Sequence, residues 1–141
     1  MAQRLPFPLL AERPAALEGV ILDFHWDPDR LHDLPLPELE VPTAALKRHL
    51  DLPFWAAAGR PFQVSPAQVA AEPGKHPHQW KRTMDADLRY PLDTYTDGAD
   101  RLVILDGIHR LLKAVIEAHR TVRVRVLDPE AFDSIAVLAD A

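Results

Sequence analysis

Residues 101–127, R-L-V-I-L-D-G-I-H-R-L-L-K-A-V-I-E-A-H-R-T-V-R-V-R-V-L, decide the fold. The apolar run Leu102 to Leu105 ends at Asp106-Gly107, where a strand has to turn, and an amphipathic pattern starts at once. Ile108, Leu111, Leu112, Val115 and Ile116 recur at i, i+3, i+4, i+7 and i+8, one face of an α-helix. Thr121 to Leu127 then alternates. Val122, Val124 and Val126 face one way and Thr121, Arg123 and Arg125 the other, the period of a half-buried strand. The segment reads strand, tight turn, helix, strand. A strand that breaks at glycine and feeds a helix gathers free backbone N–H groups and the positive end of the helix dipole at the turn, which suits an anion.

The side chains at that turn have definite capacities. Gly107 allows a backbone geometry and a close anion approach that a side chain would obstruct. Arg110 offers a planar fork of donors to phosphate oxygens, and His109, whose charge changes near neutrality, can donate to a phosphate or move a proton. Asp106 can accept a hydroxyl proton or hold a divalent cation. Lys113, one turn after His109, reaches toward the same anion. The plainer reading makes Asp106 the N-cap of the helix and leaves His109 and Arg110 as polar residues on its outer face. A phosphotransferase also needs a carboxylate to activate its acceptor, and Glu38, Glu40, Glu72 and Asp93 are all candidates.

The motif D-G-I-H-R-L-L-K-A resembles the D-G-x-H-R signature of the ParB/sulfiredoxin superfamily. W-K-R-T-M-D-A-D-L-R-Y-P-L-D-T-Y upstream and T-V-R-V-R-V downstream are similar to the elements around that signature, so the likeness covers about the last half of the chain. It implies a strand-to-helix turn that holds nucleotide phosphates, with Gly107, Ile108, His109, Arg110 and Lys113 as binding residues, and Asp106 and His109 as catalytic ones. The implied cofactor is a nucleoside triphosphate, ATP or CTP, with Mg2+. Sulfiredoxins carry a cysteine where Ile108 stands, and the chain has no cysteine, so thiol-based sulfinic acid reduction is excluded. Free-serine kinases of the superfamily carry a histidine matching His109. The likeness therefore implies an NTP-dependent phosphotransferase or NTPase acting on a small-molecule acceptor. The alternative is a non-catalytic, nucleotide-gated or DNA-associated binding module. ParB proteins append a helix-turn-helix after the signature domain, whereas here only Asp128 to Ala141 follows, so a stand-alone domain is expected.

A chain of 141 residues with 48% hydrophobic content fits one globular domain. We expect an extended arm over residues 1–37 and a single domain over 38–141. Sixteen basic against 21 acidic residues give a net charge of −5, which disfavours DNA as a partner. No apolar run reaches membrane-spanning length and no secretory signal is evident, so a cytoplasmic location with no membrane partner is expected.

The expected fold is α/β (α+β), a small mixed sheet with packed helices. Its strands lie near 39–42, 91–95, 102–106 and 121–127, and its helices over 78–88 and 108–118. Val20 to Phe24 reads as an edge strand and Thr43 as the N-cap of a helix running to Leu50. Phe54-Trp55 reads as core packing rather than a nucleobase wall. Phe62 to Val64 makes a brief strand, and Ser65-Pro66 starts two helical turns. Trp80, Met84 and Leu88 form a core stripe, and Asp128-Pro129 opens a terminal helix carrying Phe132, Ile135 and Leu138. His25, Asp27, Asp29, His32 and Asp33 are the residue types of a metal site, but their spacing fits no ligand motif, so this stretch reads as a solvated loop and no metal ligands are assigned.

Overall fold

In a computed structural model that describes residues 3–139, four strands form one mixed sheet: β2 (Glu38–Pro42), β5 (Leu92–Thr96), β6 (Leu102–Asp106) and β7 (Thr121–Leu127). Their spatial order is β2-β7-β5-β6. β7 runs parallel to β5 and antiparallel to β2, while β5 and β6 pair antiparallel. The crossover from β6 to β7 is α4 (Ile108–Ile116), and the strand, turn, helix, strand order is the expected one. The mixed α/β class therefore holds.

Alternation along the strands separates two apolar clusters. Leu92, Ile104 and Val124 pack with Leu111 and Leu112 of α4 and with Val69 of α2 (Pro66–Ala71). Tyr95, Val103 and Leu127 pack instead with Phe24, Leu31 and Ile135, which come from the two ends of the chain. Successive strand residues point to opposite faces, so the helices cover one side of the sheet and the terminal segments the other. Two small pairings complete the fold: β1 (Gln3–Arg4) with β8 (Leu138–Ala139), and the hairpin β3 (Trp55–Ala57) to β4 (Arg60–Val64). That hairpin turns at Ala58-Gly59, both at positive φ, as a two-residue turn with the strand twist demands.

Several expectations need correction. Residues 25–33 are not a loop throughout: α1 (Pro28–Asp33) forms there because Pro28 supplies a preset first-turn φ and the Asp27 side chain accepts from the Asp29 N–H at 2.9 Å. Val20 to Phe24 makes no strand, since only the isolated bridge between Pro6 and Phe24 occurs there. The helix expected after Thr43 is replaced by 3-10 turns at Thr43–Ala45 and Lys47–Asp51, and the Thr43 hydroxyl donates to the His119 and Arg120 carbonyls instead of capping. The expected helix over 78–88 is α3 (Pro77–Asp85), which ends before Leu88 and whose buried residue is Thr83. The terminal helix is a 3-10 segment, Pro129–Ser134, followed by β8, with Ile135 buried and Leu138 exposed. Ala2, Asp140 and both chain ends lie outside the described residues.

Candidate functional site

Three elements meet at the carboxyl end of β6. β6 ends on Asp106, Gly107 turns the chain at φ +121°, and α4 begins with Ile108, His109 and Arg110, all lining one cavity of about 870 Å³. No side chain caps the start of α4, so Asp106 is not its N-cap. The glycine is required for two reasons. Its φ is one that L-residues rarely adopt, and a Cβ there would sit 2.9 Å from Leu92 Cγ and 3.3 Å from Arg110 Nη2.

Arg110 folds back over this turn. Its guanidinium donates to the Pro91 carbonyl and lies 3.6 Å from the Asp106 carboxylate, and its side chain is 17% exposed. Arg110 is thus a half-buried structural partner of Asp106 as well as a cavity residue. His109 stands in the wall of the cavity, held on two sides. Its ring stacks on Trp55 with centroids 4.3 Å apart and its Nε2 pairs with Gln79 Oε1 at 2.8 Å. Burial, helped by the neighbouring Arg82 charge, pushes its pKa down to about 4, so the ring is neutral near pH 7. Lys113 does not line this cavity. Its ammonium donates to the Met84 and Ala86 carbonyls, both at 2.8 Å, at the end of α3. Trp55 is both core and wall: it is buried against the main cluster and lines the cavity beside His109.

Of the four carboxylates offered by the sequence, the cavity contains Asp93 alone. Glu38 pairs with Arg123 at 2.6 Å, Glu72 pairs with Lys75 at 2.8 Å, and Glu40 lies in a separate groove beside Arg123. Asp93 stands directly opposite Asp106 across β5 and β6, next to a register shift between Asp93 and Thr94. It is 3% exposed, and its Oδ1 accepts from Arg125 at 3.0 Å. Burial first, and then the Asp106 charge, pushes its carboxyl above the ordinary carboxylate range against the pull of Arg125.

The sequence reading set His32 aside as part of a solvated loop, whereas the structure brings it to the cavity. Leu31, fully buried in the second cluster, fixes α1 on the sheet, and Arg125 donates to the Leu31 and Leu34 carbonyls at the end of that helix. Arg30 holds the same helix through the Ala136 carbonyl at 2.7 Å. The result brings His32 Nε2 within 3.1 Å of Asp106 Oδ2 and 3.7 Å of Asp93 Oδ2. His32, Asp93 and Asp106 present potential ligand atoms that all lie within 4.8 Å of one another, a group that could hold a metal ion. His25, Asp27, Asp29 and Asp33 do not join them. Arg125 was legible only as an outward residue of an alternating strand. Its role as the tie between β7, Asp93 and α1 has no signature of its own.

The cavity thus joins guanidinium groups at Arg82, Arg110 and Arg125, carboxylates at Asp87, Asp93 and Asp106, and an aromatic wall at Trp55. No helix among the described residues is long and apolar enough to cross a membrane. No family model matches the chain, and no curated protein or solved structure matches it significantly.

Proposed function

We propose that the cavity binds the phosphates of a nucleoside triphosphate, ATP or CTP with its Mg2+, and transfers a phosphoryl group to a small hydroxyl-bearing acceptor. One observation carries the reading: three guanidiniums and the uncapped start of a nine-residue helix border the same space as three carboxylates, Asp87, Asp93 and Asp106. Phosphoryl transfer asks the protein for cationic positioning of the phosphates and a carboxylate near the attacking oxygen, with little covalent chemistry. The size supports it, since about 870 Å³ lies in the range of small-ligand and cofactor sites.

In this reading Arg110 and Arg82 receive phosphate oxygens and the first-turn amides of α4 assist. Trp55, backed by His109, lines the apolar wall on the side of the base. The acceptor hydroxyl attacks the γ-phosphorus, the bond from that phosphorus to the β-bridging oxygen breaks, and the nucleoside diphosphate leaves. Asp106 Oδ2 faces His32 and Arg110, whereas Oδ1 accepts no hydrogen bond among the described residues and is available for the acceptor's proton. His109 is a neutral wall residue whose Nε2–H is held by the Gln79 carbonyl oxygen.

Thermal unfolding with and without ATP or CTP and Mg2+ tests the reading. Ligand at a hundred times its dissociation constant adds about 2.7 kcal/mol. For a chain of this size that is a rise of roughly 5–10 °C in Tm. Absence of a shift with every nucleotide, in wild-type protein shown to be folded, overturns it. A shift without turnover across a panel of hydroxyl acceptors would favour the nucleotide-gated binding module.

A further inference from the structure

We propose that His32, Asp93 and Asp106 hold a resident divalent cation of the first transition series, distinct from any Mg2+ that a nucleotide carries into the cavity. The inference deepens the proposed function by giving the same cavity its own metal, yet it stands on the protein's donors alone.

The distances fit a shared ion. Ligand atoms bound at about 2.1 Å lie about 3.0 Å apart at right angles and about 3.4 Å apart at tetrahedral angles. The His32 Nε2 to Asp106 Oδ2 separation of 3.1 Å falls between those values, and the His32 Nε2 to Asp93 Oδ2 separation of 3.7 Å is a little longer than both. All three donor atoms lie within 4.8 Å of one another, and the half-exposed His32 and Asp106 side chains are free to close them on one ion.

A second observation is independent of that spacing. Asp93 and Asp106 are cross-strand partners, and like charges directly opposite one another destabilise a sheet. Asp93 is almost wholly buried, and only its Oδ1 is hydrogen-bonded, by Arg125. Its Oδ2 accepts no hydrogen bond among the described residues and is aimed at His32 and the cavity. A carboxylate oxygen that opens on the cavity, accepts no hydrogen bond and lies close to a second carboxylate is an arrangement that a cation satisfies.

The donor types choose the ion. Two carboxylates alone would suit Mg2+ or Ca2+, but an imidazole nitrogen shifts preference toward manganese, iron and zinc, because Mg2+ favours oxygen and gives up its water reluctantly. His32 is delivered by a helix pinned through Leu31, Arg30 and Arg125, so the nitrogen is positioned in advance. With Arg110 and Arg125 already beside the two carboxylates, an added dication leaves the centre with excess positive charge, which an anionic phosphate would balance.

Titration of the full chain with Mn2+ in the absence of nucleotide, followed by the electron paramagnetic resonance signal of the free ion, tests the site. One Mn2+ should bind per chain, Zn2+ should displace it, and a large excess of Mg2+ should not. His32→Ala and Asp106→Asn should each weaken binding at least tenfold while the circular dichroism spectrum stays that of the wild type. Asp93→Asn serves only as a supporting variant, since it disturbs the partner of Arg125. No Mn2+ binding to folded wild-type protein at millimolar concentration overturns the proposal, and so does wild-type affinity in His32→Ala, which would place any ion elsewhere and leave His32 as a hydrogen-bond partner of Asp106. The outcomes separate from those of the nucleotide reading. Mn2+ binding with no nucleotide-induced shift sinks the nucleotide alone, whereas a nucleotide shift with no Mn2+ site sinks the metal alone.

Discussion

The His109 imidazole lies flat against the Trp55 indole, with ring centroids 4.3 Å apart and planes inclined by 13°. This stack joins the β3–β4 hairpin to the first turn of α4 and takes the imidazole out of solvent. Its low pKa follows chiefly from burial. Trp55→Ala should therefore move the His109 pKa from about 4 back toward 6.5, read from the imidazole chemical shifts in a pH titration. The same variant should lose about 3–5 kcal/mol in urea unfolding, because a large buried side chain is removed. A His109 pKa that stays near 4 without Trp55 would mean that the Arg82 charge, not burial, sets it.

Acid sensitivity follows from two rings. His49 is fully buried, its Nδ1 donating to the Leu46 carbonyl at 2.8 Å while its Nε2 accepts from the Ile104 N–H at 3.2 Å. Only the neutral ring can do both, and burial pushes its pKa down to about 4, as it does for His109. Unfolded, both rings take up a proton near pH 6.5. Folded, they wait until about pH 4. Between those values the unfolded chain binds more protons, so the stability that is fully present above pH 6.5 falls as pH drops. The slope is at most about 1.4 kcal/mol per pH unit for each ring. Asp93, with its carboxyl raised by burial, acts in the opposite sense at lower pH. Urea unfolding should then show a loss of about 2–4 kcal/mol between pH 7 and pH 5. A flat profile over that interval would contradict two neutral buried rings.

Lys113 and Arg110 sit one turn apart on α4 but do different work. Lys113 binds the last carbonyls of α3, so Lys113→Met should cost about 1–2 kcal/mol of stability and leave nucleotide affinity within twofold. Arg110→Ala removes the donor to Pro91 and the partner of Asp106, and should cost the unliganded protein about 1–3 kcal/mol. The sequence alone suggested that the unliganded fold would hardly notice this change, because a first-turn arginine looks solvated. Its guanidinium is not. Isothermal titration calorimetry beside urea unfolding separates the two residues, since only Arg110→Ala should also weaken nucleotide binding by tenfold or more.

What the sequence showed was what local periodicity can carry. The runs that became β5, β6, α4 and β7 follow their pattern within a residue or two, because alternation and the 3.6-residue period are properties of neighbours along the chain. The Asp106 to Arg110 turn was legible for the same reason. α1 was not, since a six-residue helix shows barely two turns of pattern and most of its hold comes from Leu31 and Arg125 across the sheet. The pairing of β1 with β8 joins the two ends of the chain and leaves no local trace. The site was half visible on these grounds. Asp106 and Arg110 announce themselves in a motif, whereas His32, Gln79 and Arg125 acquire their meaning only when distant elements pack.

Gly107 gives a test of the turn itself. Gly107→Ala must adopt φ near +121° and place a methyl group 2.9 Å from the buried Leu92. The backbone penalty is about 1–2 kcal/mol and the overpacking adds about 1–3 kcal/mol. A double-mutant cycle with Leu92→Ala divides them, because the smaller side chain relieves the clash but leaves the φ penalty. A favourable coupling of about 1 kcal/mol or more is expected from chemical denaturation. Strict additivity would show that the clash relaxes by a shift of α4.

Arg125 carries the last prediction, because one guanidinium holds three parts of the molecule together. It pairs with the buried Asp93, and it donates to the Leu31 and Leu34 carbonyls at the end of α1, so β7, β5 and the amino-terminal segment meet at this group. Arg125→Met keeps much of the apolar stem but leaves a buried carboxylate without its partner, a loss of about 3–5 kcal/mol. Adding Asp93→Asn should recover part of that loss, since the stranded charge is gone, while the α1 carbonyls remain without their donor. Hydrogen exchange distinguishes the two contributions. In Arg125→Met the amides of α1 should exchange faster than those of α4 by at least tenfold relative to wild type, because α1 loses its tie to the sheet and α4 does not. Uniform acceleration of both helices would instead mean that Arg125 supports global stability only, and that the position of His32 does not depend on it.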